Sequence, residues 1–153
     1  MIHTAAPAQT DLQVWDARLE TGVSTIDLQH RVLFDLLQRL RCADDTDRSP
    51  GLSGVLHQLK AYAGYHFQYE EAWVQRHVGD HPQAAAHARL HARFDRDLAA
   101  LEARLDAGAL AIDEVREFLL RWLIGHILEQ DLPMIHTLRA RAQRSPGAER
   151  RAA

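Results

Sequence analysis

Apolar residues recur at alternating spacings of three and four through four long segments of the chain, and each segment ends at a turn signal. The first, Ser24 to Cys42, carries Ile26, His30, Leu33, Leu37 and Leu40 in register. The second, Leu52 to His77, carries Leu52, Leu56, Leu59, Ala63, His66, Glu70 and Trp73. The third, Gln83 to Asp106, carries His87, His91, Phe94, Leu98, Leu101 and Leu105. The fourth, Asp113 to Asp131, has Ile112 just ahead of it and then Val115, Leu119, Trp122 and His126. A stripe of this period is one face of a helix, and it is stable only when another helix covers it. No strand-like alternation competes. Four such helices joined by short loops predict an all-α fold, an up-down-up-down antiparallel four-helix bundle.

The breaks between stripes are consistent with that plan. Ala43–Gly51 is a polar loop, Val78–Pro82 places a proline where it suits a helix first turn, and Ala107-Gly108 is a stop. Ser24 with Asp27 has the spacing of a variant capping box. Pro133 is expected to interrupt the fourth helix, with a short helix following over Met134–Ala142. The expected organisation is an irregular arm over 1–22, in which Val14, Trp15 and Leu19 dock on the body, one bundle over 23–142, and a disordered tail over 143–153. The tail arginines, Arg139 and Arg141 among them, read as a solubilising end.

Composition excludes some functions. With 153 residues, 46% of them hydrophobic, the chain can build one real core. A net charge of −3 argues against nucleic-acid binding by a basic face. No apolar run is long enough to insert in a membrane. The first 22 residues hold Asp11, Asp16 and Glu20 without the apolar block of a secretory leader, so the expected location is cytoplasmic. The single cysteine, Cys42, allows no internal disulfide and reads as a small apolar filler at the end of the first helix.

The anomaly lies inside the stripes. A bundle seam should be aliphatic, yet each seam here carries a group able to bind metal: His30 on the first, His66 and Glu70 on the second, His87 and His91 on the third, His126 on the fourth. Residues at i and i+4 share a helix face, so His66/Glu70 and His87/His91 are two side-by-side pairs. Burying such groups without partners costs several kcal/mol each. Asp131 adds a carboxylate, although at five residues from His126 it lies about 140° round a regular helix and requires the helix end to deform. The chain has 10 histidines, and the remainder act as controls. His57 should face solvent, His3 lies in the arm, His136 lies beyond Pro133, and His77/His81 straddle a loop.

Five imidazoles and two carboxylates exceed what one zinc ion takes. They suit two octahedral first-row ions, which offer about twelve positions. Two bridging carboxylates and one bridging oxide or hydroxide then leave roughly one position open.

The motifs Gly-Val-x-x-Ile-Asp-x-Gln-His (Gly22 to His30), His-Phe-x-x-Glu-Glu (His66 to Glu71), His-x-x-x-His (His87, His91) and His-Ile-x-x-x-Asp (His126 to Asp131) resemble the hemerythrin family, in particular its single-domain bacteriohemerythrin branch. The resemblance covers about Trp15 to Asp131. It implies reversible O2 binding at a non-haem di-iron centre, a carrier, store or sensor rather than an enzyme. It further implies one iron on His87, His91 and His126, a second on His30 and His66 with the open position, and Glu70 and Asp131 bridging both. The family's apolar O2 pocket falls on Phe67, Trp122, Leu123 and Ile127. The rival readings are a di-iron enzyme acting on peroxide or nitric oxide, and an iron-buffering or structural metal bundle. Enzymes of the ferritin-like di-iron class use Glu-x-x-His motifs, of which this chain has none.

Overall fold

The computed structural model describes residues 15–42, 51–109 and 111–144. The elements are a 3-10 turn at Ala17–Leu19, α1 (Ser24–Cys42), α2 (Gly51–Val78), α3 (Pro82–Asp106), α4 (Ile112–His126), a π-turn at Ile127–Asp131 and α5 (Leu132–Arg144). Among the described residues there is no strand. Helix α1 packs on α2, α2 on α3, α3 on α4, and α4 closes back on α1, which is the ring of an antiparallel four-helix bundle. The helix limits fall within a residue or two of the hydrophobic periodicity, and Pro82 stands in the first turn of α3. Gly108, with φ of 69°, takes the left-handed conformation that ends the third helix.

Two apolar clusters fill the bundle. The larger joins Leu33, Leu37, Leu59, Phe94, Leu119 and Leu123 from all four helices. The smaller, of Ile26, Trp73, Val74, Met134, Ile135 and Leu138, is closed by α5. Along α1, α2 and the α4–α5 rod, the polar residues of the stripes lie between positions belonging to these two clusters, so that the bundle carries a polar layer between two dry ones.

The arm docks in part as expected. Leu19 is buried, and Trp15 sets its ring edge on Phe34 at 5.8 Å while Arg31 lies over its face at 5.3 Å. Val14, His3, the loop 43–50 and the tail 145–153 lie outside the described residues.

Four expectations need correction. Pro133 does not end the fourth helix. The chain stays helical from Ile112 to Arg144 because a π-turn, in which the Leu132 N–H bonds the Ile127 carbonyl, is inserted just ahead of the proline. A proline ring collides with the carbonyl four residues back in a regular helix, and the wider turn gives it room. Ser24 is exposed and does not cap α1. Instead Asp27 reaches back to accept from the Thr21 N–H (2.7 Å), the Thr21 hydroxyl (2.7 Å) and the Gly22 N–H (3.1 Å), while Thr21 Oγ1 accepts from Val23 N–H. Arg139 is not a solubilising residue: its Nη1 donates to the Thr21 carbonyl at 3.0 Å and so ties α5 to the start of α1. Gly22, with φ of 79°, takes the left-handed conformation that favours glycine, and a Cβ there would push the Arg139 guanidinium away from the Thr21 carbonyl. Cys42 is exposed, not a filler. No helix among the described residues is long and apolar enough to cross a membrane.

Candidate metal centre

All seven donors expected from the seams converge. His30, His66, Glu70, His87, His91, His126 and Asp131 are buried, Glu70 and Asp131 completely. They fall into two groups. Glu70, His87, His91, His126 and Asp131 each offer one donor atom within 4.8 Å of all the others, and so do His30, His66, Glu70 and Asp131. Glu70 and Asp131 belong to both groups. The controls behave differently. His57 and His136 are exposed. His77 stacks on Trp73 and bonds its carbonyl, while His81 caps α3 by accepting from the Gln83 N–H.

The π-turn is what makes Asp131 a member. An i-to-i+5 turn returns the chain to the same face one residue later than an α-turn does. Asp131 Oδ1 thereby reaches 3.0 Å from His126 Nε2, the residue five positions back, and 3.2 Å from His87 Nε2. Its Oδ2 lies 3.3 Å from His30 Nε2.

The hydrogen bonds around the centre set which nitrogens face inward. His66 Nδ1 bonds Gln29 Oε1 at 2.9 Å, and His91 Nδ1 bonds Glu71 Oε1 at 2.8 Å. Each acceptor takes the Nδ1–H and so leaves the Nε2 lone pair pointing into the cluster, the usual arrangement for a ligating imidazole. Gln29 and Glu71 stand beside His30 and Glu70 in the sequence. Spacing alone gave them no role, because their partners lie on other helices.

Without a cation this interior does not balance. His30 Nε2 faces His66 Nε2 at 3.2 Å, and His91 Nε2 faces His126 Nε2 at 2.9 Å. Glu70 Oε1 and both oxygens of Asp131 are fully buried with no hydrogen bond of proper direction, despite the imidazoles close to Asp131. Each orphaned buried group of this kind costs about 1–3 kcal/mol. The proton affinities carry the same tension. Burial, with His126 and His87 beside it, holds His91 down to about 2. Burial also opposes charge on His87, but Asp131 and Glu70 outweigh it and raise that residue to about 9. Asp131 pays a burial penalty too, yet His126 and the other imidazoles around it keep its carboxyl well below the usual carboxylate range. Inward lone pairs and unpartnered carboxylate oxygens are the donor chemistry of borderline first-row cations, so the residues fit a pair of such ions.

Of the four residues expected to wall an apolar pocket, Phe67 and Trp122 touch this layer. Phe67 stacks on His91 with ring centres 4.0 Å apart, and Trp122 stacks on His126 at 4.4 Å. Phe67 also meets Trp122 edge-on at 5.8 Å. Leu123 and Ile127 are buried, while Trp122 is half-buried.

Comparison with known proteins agrees with this arrangement. The sequence pattern described as the hemerythrin HHE cation binding domain matches residues 21–137. A bacteriohemerythrin of Stenotrophomonas maltophilia is 33% identical over 120 residues, which cover 78% of this chain and 77% of that protein. A bacteriohemerythrin of Pseudomonas aeruginosa is 29% identical over 126 residues, covering 82% and 81%. One of Clostridium acetobutylicum is 28% identical over 125 residues, covering 77% and 95%.

Proposed function

The chain belongs to the hemerythrin family, and from that membership we propose that it binds O2 reversibly at two iron ions, as a carrier, store or sensor and not as an enzyme. One iron would be held by His87, His91 and His126 and the other by His30 and His66, with Glu70 and Asp131 available to both. The observation that carries the reading is the sharing itself: two donor groups, each large enough for an ion, have both carboxylates in common. When bound, the metal pair supplies the electrons that hold O2 reversibly.

The protein's part is to orient the donors and keep the interior dry. Gln29 and Glu71 fix two of the imidazoles in the tautomer that ligates. Phe67, Leu123 and Ile127, with Trp122 at the edge, place apolar surface beside the layer. That surface limits the entry of water and protons, which would turn bound O2 irreversibly into products. The donors are unequal: with three imidazoles on one side and two on the other, the two-imidazole position would be the one with room for a ligand.

The test is optical. Iron-loaded protein, reduced and then exposed to air, is expected to develop a visible ligand-to-metal absorption band that disappears on degassing and returns with air. A change that cannot be reversed and that releases product favours an enzyme on peroxide or nitric oxide. The absence of any O2-dependent change favours a structural or iron-buffering bundle.

A further inference from the structure

Taking the seven-donor cluster as a metal centre, we propose that the metal enters and leaves through the groove between α3 and α4, where Glu117 and Glu129 draw the hydrated divalent cation toward His126. His30, His66, Glu70, His91 and Asp131 are sealed at 0–2% exposure, and only His87 (5%) and His126 (6%) retain a trace of contact with solvent. Those two residues line separate cavities on the same side of the bundle. A groove of about 810 Å³ reaches His126, and a smaller cavity of about 300 Å³ reaches His87. Leu90, Glu129 and Gln130 line both, so the cavities lie side by side along α3 and the π-turn.

Size and charge suit a hydrated ion. Six waters at roughly 30 Å³ each require on the order of 200 Å³, which the larger groove exceeds. Its lining carries four carboxylates, Asp113, Glu114, Glu117 and Glu129, against one guanidinium, Arg121, which lies 3.8 Å from Glu117; Asp113 is paired with Arg116 at 2.9 Å, so the lining keeps an excess of negative charge. Gly125 lies on the wall beside His126 and adds no side chain to it, while the Trp122 ring stacks on one face of that imidazole at 4.4 Å. Toward the ends of the bundle the donors are shielded by the two apolar clusters, where an ion would have to shed its water against hydrocarbon, and beside α2 the outward nitrogen of His91 is occupied by Glu71 at 2.8 Å. An excess of one sign of charge in a cleft raises the local concentration of the opposite ion and accelerates its capture, by about ten- to a thousandfold for clefts lined by one sign alone and by less here, where Arg121 offsets part of it.

The experiment follows Co2+ uptake by the metal-free full chain in stopped flow, through the visible bands the ion acquires on binding nitrogen donors. The variants are Glu117→Gln, Glu129→Gln and the two combined. The control is Glu102→Gln, whose carboxylate pairs with Lys60 at 2.6 Å away from the groove. The combined variant is expected to slow uptake about three- to tenfold at low ionic strength, with the difference shrinking as salt screens the rim, and with the final Co2+ count unchanged. The control should load at the wild-type rate. Equal uptake rates in the wild type and the combined variant overturn the proposed route. A wild-type chain that saturates below two Co2+ counts against the paired centre, while the ratio of rates still decides the route.

Discussion

His91→Ala is expected to lower bound iron and folded stability in a single step. The ring does three things at once. It offers Nε2 to the centre, its Nδ1 bonds Glu71 at 2.8 Å, and its face stacks on Phe67 at 4.0 Å. Truncating a buried ring of this size costs about 3 kcal/mol or more through lost contacts and the cavity left behind. Loss of metal adds to that, since binding energy at a site absent from the unfolded chain is folding energy. The expected result is less than half the wild-type iron and a melting temperature lower by ten degrees or more. His57→Ala is the matched control: the residue is exposed on the same bundle, and its removal should change stability by less than about 0.5 kcal/mol. Full iron in the His91 variant, or iron lost in the His57 variant, would mean that the donors are wrongly assigned.

Acid is expected to have the other large effect. In the metal-free fold burial holds His91 down to about 2, against near 6.5 in the unfolded chain, so between those values only the unfolded chain takes up the proton. Stability therefore falls as the pH drops below about 6.5. Asp131, whose folded value is depressed, acts in the same direction, its contribution being lost as the pH falls through that depressed value. His87 has the opposite sign. Raised to about 9, it stabilises the metal-free fold fully below 6.5 and loses that contribution as the pH rises through 9. Metal needs all five imidazoles unprotonated, so protons and metal compete for one set of lone pairs. Iron-loaded protein followed by absorbance and circular dichroism should release its metal cooperatively between about pH 6.5 and 4, with loss of helix following. Metal retained at pH 4 would show that the imidazoles do not hold it.

How far the sequence could be read depended on how local each cause was. The helix over Ser24–Cys42 and the inward face shared by His66 and Glu70 follow from a period of 3.6, which sequence displays directly. The π-turn does not. Periodicity assumes one helical pitch throughout, so Asp131 looked misaligned and Pro133 looked like a stop. The two oddities have one cause, since the extra residue that accommodates the proline also swings Asp131 back onto the face of His126. Gln29 and Glu71 were equally hidden, as their roles depend on which imidazole of another helix faces them. Arg139 stands among the basic residues of the C-terminal segment, and its partner, the Thr21 carbonyl, lies 118 residues away in the chain, beyond the reach of local pattern.

The central claim is that seven donors enclose two cations with two shared carboxylates. Anaerobic titration of the metal-free chain with Fe2+, followed by native mass spectrometry, tests it most directly. Two successive additions of iron per folded chain, and no third, are expected. Saturation at a single iron, or a chain that takes up none while fully folded, would contradict it.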